Sequence, residues 1–201
     1  MDDIVRQGMA KWPNVPAVYG WLALDARGNW LIKGDRITNP VIAAFIGRNY
    51  LRDDRGGWYF QNGPQRVFVS LDYTPFVVRH EATGAGERLL THTGRPVEAL
   101  TGAWLDDQGH LVLATDAGPG VLHDRDLEGF LSHFTDGHGQ PLDDARLESA
   151  LETLQQGQPA DLALRWREAL VPLQPVRTGD VPGQFGYVRI PDPPPGEEVC
   201  T

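Results

Sequence analysis

Apolar positions along the chain fall into short runs with two different periods. Near the start, Ile4, Val5, Met9 and Trp12 lie on roughly one side of a helix, which Asp2 or Asp3 can cap and Pro13 can end. That stripe serves either as a docking face for a partner or as a face packed on the protein's own core. In YGWLALDARGNWLI, Trp21, Leu22 and Leu24 precede an Asp25–Gly28 turn, and Trp30, Leu31 and Ile32 follow it. Gly28 can take the positive φ of a tight turn, so the pattern predicts a β-hairpin. RITNPVIAAFIGRNY then carries helix-start chemistry. Thr38 or Asn39 is the cap, Pro40 fits the first helical position, and Val41, Ile42, Phe45, Ile46 and Tyr50 have helical spacing. RDDRGG breaks that helix. Residues 58–73 predict two strands joined by an Asn62-Gly63 turn, and the segment up to Gly94 adds one or two more.

The same order of elements recurs at a shift of roughly eighty residues. TGAWLDDQGHLVLAT repeats the hairpin, with an acidic turn and Gly109. In VLHDRDLEGFLSHFTDGHG, Leu127, Phe130, Leu131 and Phe134 repeat the helical spacing. Ile46 aligns with Phe130, Asn49 with His133 and Tyr50 with Phe134. A helix follows, with Leu147, Ala150, Leu151 and Leu154 as its buried stripe and Gly157 at its end. Residues 161–176 fit a helix through Leu162, Trp166, Ala169 and Leu170. They also fit a strand pair through Leu162, Leu164 and Trp166, and Pro172 and Pro175 favour the strands. GQFGYVRI reads as a short strand and PDPPPGEEVCT as an extended, solvated, mobile tail. The expectation is an α+β fold: two related units of antiparallel strands, each packed with a helix, behind an N-terminal helix. The expected divisions are 1–18 for the helix and linker, 19–98 and 99–190 for the units, and 191–201 for a proline-rich tail.

Composition narrows the function classes. The chain has 201 residues, 41% apolar and 22% charged, enough for a globular core in one domain or two small ones. Its formal net charge is −9 and its isoelectric point about 5.0, with no basic cluster, so nucleic acid is not an expected partner. Lys11 and Lys33 are the lysines; the other basic residues are arginines. One cysteine, Cys200, excludes a disulfide within the chain and favours a reducing, cytoplasmic setting. The first residues lack a signal-peptide pattern, and no apolar run approaches the roughly 18 residues of a membrane span. No membrane association is expected.

The first half carries a series of spaced motifs: Asp25 to Trp30, Phe45 to Tyr50, Asp54 to Trp58, Val67 to Val69, Asp72 to Val77 and Leu89 to Gly94. Their order resembles the proteobacterial domain-of-unknown-function family 1285, or a sister of it, over roughly residues 20 to 95. That resemblance implies an α+β fold with repeated substructures. It implies no established catalytic activity and carries over no catalytic residues; at most it suggests a ligand-binding or signalling role.

Two constellations are candidates for chemistry. Gln61, Asn62, Gln65 and Arg66 form one candidate binding group: Asn62 belongs to the predicted Asn62-Gly63 turn, whereas Gln61, Gln65 and Arg66 bring amides and a guanidinium that the turn itself does not need. Mounted on a hairpin, they can read a carboxylate, a phosphate or a peptide backbone; alternatively they bridge to a neighbouring loop. His133, Asp136 and His138 have spacing that can be drawn as metal ligands, although His133 also suits a helix end and the others suit turns. Ser70, Ser132 and Ser149, the serines of the chain, sit in no nucleophile elbow, and the glycine-rich loops match no phosphate-binding fingerprint. Trp21, Trp30, Trp58 and Trp104 suit core packing and cross-strand pairing better than a ligand groove. The expected function is a non-catalytic ligand-binding or signalling module for a small anion or a peptide, without a cofactor. The alternative is a metal-dependent hydrolase built on His133, Asp136 and His138. A structural homo-oligomer scaffold is a third reading.

Overall fold

The structure, a computed structural model, describes residues 1–12, 15–84, 86–196 and 199–200. Pro13 and the side chain of Cys200 lie outside the described residues. The chain divides into two compact units: Met1–Pro75, His92–Gly94 and the segment from Gly186 onward, and then Phe76–Thr91 with Arg95–Phe185.

The first unit runs α1 (Asp3–Lys11), β1 (Ala17–Leu24), β2 (Trp30–Ile32), β3 (Asp35–Arg36), α2 (Pro40–Arg48), β4 (Tyr50–Arg52), β5 (Trp58–Asn62) and β6 (Gln65–Leu71). Its strands are ordered β3-β2-β1-β6-β5-β4, with β1 and β6 parallel and the other neighbours antiparallel. A parallel pair needs a long crossover, and α2 with the β4–β5 hairpin supplies it. Asn39 caps α2 as its sequence predicts, its side chain accepting from the Val41 and Ile42 amides. In α1 the cap residue Asp2 is used differently: its carboxylate receives Arg48 from the end of α2. Of the expected α1 stripe, Val5 is buried, whereas Ile4 and Trp12 are 72% and 52% exposed.

The second unit contains β7 (Phe76–Thr83), β8 (Gly86–Thr91), β9 (Pro96–Val97), β10 (Leu100–Asp106), β11 (Leu111–Thr115), β12 (Gly118–Leu122), α3 (Leu127–Phe130), β13 (Phe134–Thr135), α4 (Asp144–Gln155), β14 (Ala163–Trp166), β15 (Ala169–Val176) and α5 (Val181–Phe185). The path β12-β11-β10-β15-β14-β13 has the strand order of the first sheet, again with its central pair, β10 and β15, parallel. Beyond β12 this sheet continues through β7, β8 and β9. Strands 76–91, which the chain pattern groups with the first unit, therefore hydrogen-bond into the second sheet. Finally, Val199–Cys200 forms β16, pairing in parallel with Ala17 and Val18 of β1.

Residues 161–176 are the strand pair that the prolines favour, with Pro172 opposite Ala163. The strand expected over 183–190 is not formed. Val181–Phe185 is helical instead, and Gly186 follows with φ 64°, a conformation that leaves a helix without steric cost only for glycine.

The two sheets share one turn device. Asp25, Asp53, Asp106 and Asp136 each begin an Asp-x-x-Gly-x turn, two per unit: at the β1–β2, β4–β5 and β10–β11 hairpins, and, for Asp136, after β13, where the turn closes on a bridge between Thr135 and Pro141. In each, one carboxylate oxygen accepts the amides two and four residues on, at 2.7–3.0 Å. Gly28, Gly56, Gly109 and Gly139 take φ between 78° and 85°. The turn acid of the second hairpin is Asp53, one residue ahead of the Asp54 that opens the corresponding sequence motif.

Each unit has its own core. In the second, Phe130, Leu154 and Leu164 pack with Leu89, Leu111 and Leu113, all at most 1% exposed. In the first, Trp30 meets Tyr50 edge-on at 5.1 Å and Tyr50 meets Trp58 at 4.8 Å.

Candidate functional site

β5 and β6 are joined by a two-residue turn, because Asn62 pairs with Gln65. Its central residues are Gly63 and Pro64, not Asn62 and Gly63. A type I′ turn needs positive φ at both central positions, which proline cannot adopt. With φ 57° at Gly63 and a proline after it, the turn is of type II′. This one-residue difference sets which residues stand directly opposite one another: Gln61 faces Arg66 rather than Pro64. Residues opposite one another in an antiparallel pair share a face. Asn62 and Gln65 therefore lie on one face of the sheet, and Gln61 and Arg66 on the other.

The four residues have different surroundings. Gln61 is 1% exposed, and its amide nitrogen donates to the Gly63 carbonyl at 2.9 Å, so it closes the hairpin. Arg66 lies over the Tyr59 ring at 5.1 Å and lines a polar groove with Asp53, Asp54 and Arg55. On that face Tyr19 and Phe68 stack at 4.5 Å. Asn62 and Gln65 border a cleft of about 330 Å³ on the α2 face. Val18 and Trp21 of β1, Ile42 and Phe45 of α2, Phe60 and Val67 line it, among others. Its lining is apolar apart from the two amides. Gln65 also donates to the Pro16 carbonyl at 3.2 Å. Lys33, at φ 50°, holds its ammonium 3.7 Å over the Trp21 ring.

In the second unit, the residues drawn as metal ligands separate. Asp136 is the cap of its own turn, where the amides of Gln140 and His138 hold its carboxyl below the ordinary range. His138 is exposed within that turn. His133 turns away from both, towards the β7–β8 hairpin. Its Nε2 lies 3.1 Å from Glu87 Oε2, and His80 Nε2 lies 3.8 Å from Glu87 Oε1. Among the described residues, His80, Glu87 and His133 form the group of three whose ligand atoms converge, within 4.8 Å of one another.

Local structure explains this meeting. Leu89 is opposite His80, so Glu87 is its diagonal neighbour on the same face. The backbone amide of His80 donates to Asp126 at 3.0 Å, and Asp126 is clamped by Arg79 at 2.6 Å, which fixes β7 against the turn that leads into α3. His133 Nδ1 contacts the Arg165 carbonyl at 3.2 Å; a carbonyl can only accept, so Nδ1 carries the proton and Nε2 presents its lone pair. Phe130 and Trp166 wall the two imidazoles, with centroids 4.6–6.0 Å away. Burial holds the His133 pKa down, against the opposing charge of Glu87. Sequence spacing points to His133 but not to His80 or Glu87, because their convergence depends on the β7–β8 register.

The model of a family described as "Protein of unknown function (DUF2946)" matches residues 1–192. A solved DUF1285 family protein from Silicibacter pomeroyi DSS-3 is similar in fold, with 16% identity and a TM-score of 0.52 over 81% of this chain and 85% of that one. A second DUF1285 family protein, from Shewanella baltica OS155, aligns at 18% identity with a TM-score of 0.43, covering 58% of this chain and 91% of that one. No curated protein matches. The likeness to family 1285 drawn from the motifs is thus a likeness of fold.

Proposed function

The chain belongs to that family of proteins of unknown function, DUF2946, and on this premise we propose that its first unit is a non-catalytic binding module for a small amphipathic molecule. The ligand's apolar body occupies the cleft between α2 and the sheet, and its hydrogen-bonding end meets Asn62 and Gln65. The observation that carries this reading is the lining itself: an apolar concavity of about 330 Å³ with two amides at one border. Small-molecule sites characteristically pair an apolar wall with a few polar groups that fix orientation. A bare anion suits the cleft less well, since no lysine or arginine lines it. Arg66, on the other face of the sheet, takes no part.

The fluorescent probe 8-anilinonaphthalene-1-sulfonate tests this. Native protein should bind it at one saturable site. Ile42→Glu, at a position on α2 that is 48% exposed, should abolish binding without unfolding the chain. Arg66→Ala should leave it unchanged. Equal binding by Ile42→Glu and the native chain would sink the reading.

A further inference from the structure

We propose that His80, Glu87 and His133 in the second unit form a binding site for a divalent transition-metal ion, with Zn2+ as the best-matched ion. Three features carry this beyond mere proximity. The first is convergence of donors. Two imidazole Nε2 atoms and a carboxylate come from a strand, a hairpin partner and a helix end, all within 4.8 Å of one another. Zinc bonds to histidine and carboxylate of about 2.0–2.2 Å put neighbouring ligand atoms roughly 3.3 Å apart, so the cluster closes on an ion with small side-chain rotations.

The second feature is the state of the nitrogens. His80 Nε2 is buried and makes no hydrogen bond, and the buried His133 Nε2 faces only the Glu87 carboxylate, 3.1 Å away. A buried polar nitrogen without a partner is costly unless something else satisfies it, and a metal ion does. The third is outer-shell support. His133 Nδ1 donates to the Arg165 carbonyl, the arrangement that orients a metal-bound imidazole and strengthens its other nitrogen as a ligand. His80 is held through its backbone by Asp126.

Two histidines and one carboxylate make a mixed nitrogen and oxygen set suited to zinc and its neighbours rather than to calcium or magnesium. Three protein ligands leave a fourth tetrahedral position open to water or to an exogenous ligand. Phe130 and Trp166 keep the imidazole side apolar, while Glu87, 44% exposed, lies on the solvent side. The site lies wholly in the second unit, so it stands or falls separately from the cleft of the first.

The test is calorimetric titration of the chelator-stripped 201-residue chain with Zn2+. One equivalent should bind, and Glu87→Gln should weaken binding by at least about tenfold. His80→Gln with His133→Gln should remove it. Co2+ in place of Zn2+ should give the visible absorption of a tetrahedral nitrogen- and oxygen-ligated ion, lost in the same variants. Glu87 is exposed, so its substitution reports on ligation without disturbing the core, and circular dichroism verifies the fold of each variant. Absence of stoichiometric binding by the native chain overturns the proposal, as does unchanged affinity in Glu87→Gln.

Discussion

Asp106 makes the most complete of the repeated turn contacts. It is fully buried, and its carboxylate takes the amides of Gln108 and His110, the His110 ring and the Thr178 hydroxyl. A buried carboxylate survives only with such partners. His92 illustrates the opposite arrangement for a base. Its ring packs on Trp30 at 5.1 Å, and desolvation lowers its pKa from 6.5 to about 3, despite the nearby charge of Asp25. The folded pKa lies below the unfolded one, so the unfolded chain takes the proton first. The contribution of His92 is complete above pH 6.5 and is lost as the pH falls towards 3, by at most about 1.4 kcal/mol per unit. His92 is half-buried as a residue and lines a neighbouring cleft, which keeps the effect below that ceiling. Urea denaturation at pH 7 and pH 5 should therefore show a smaller difference in His92→Leu than in the native chain. An equal difference would assign the acid sensitivity to other groups.

At the scale of elements, α2 and the β5–β6 hairpin build the candidate cleft, and each rests on one local device. Asn39→Ala removes the cap of α2 and should cost about 1 kcal/mol. Gly63→Ala should cost roughly 1–3 kcal/mol although a Cβ there meets nothing within 4 Å, because the cost is conformational rather than steric crowding. Thermal unfolding of the two variants checks both values, and a neutral Gly63→Ala would exclude the type II′ turn. The helix signals and most turns were legible in the sequence because caps and positive-φ glycines act within a few residues. The pairing within the 61–66 hairpin was not. Moving the turn centre from Asn62-Gly63 to Gly63-Pro64 leaves the faces as they are but changes the directly opposed pairs, and a strand with polar residues on both sides does not reveal that shift.

At the scale of the whole molecule, charge and topology set the terms. The net charge is −9, and among the described residues no helix is long and apolar enough to cross a membrane. We expect no retardation of duplex DNA in a gel assay at physiological salt; a shift that weakens with added salt would reveal a local basic patch. Over six strands both sheets flank a parallel pair with antiparallel neighbours, in one strand order. The second adds β7, β8 and β9, and that addition brings His80 and Glu87 to His133.

The sequence by itself determined the local pieces: the capped helix at Asn39, the glycine turns after Asp25 and Asp106, the strand pair that Pro172 and Pro175 favour, and the surplus polarity around residue 63. Short-range sterics and hydrogen bonds decide these, and they are written within a few residues. Tertiary structure alone decided the parallel pairing of β1 with β6 and of β10 with β15, the transfer of residues 76–91 to the second sheet, and the meeting of His80 with His133. Such pairings join segments far apart in the chain. Their selection rests on which faces can be buried together, a property of the assembled sheet rather than of any short stretch.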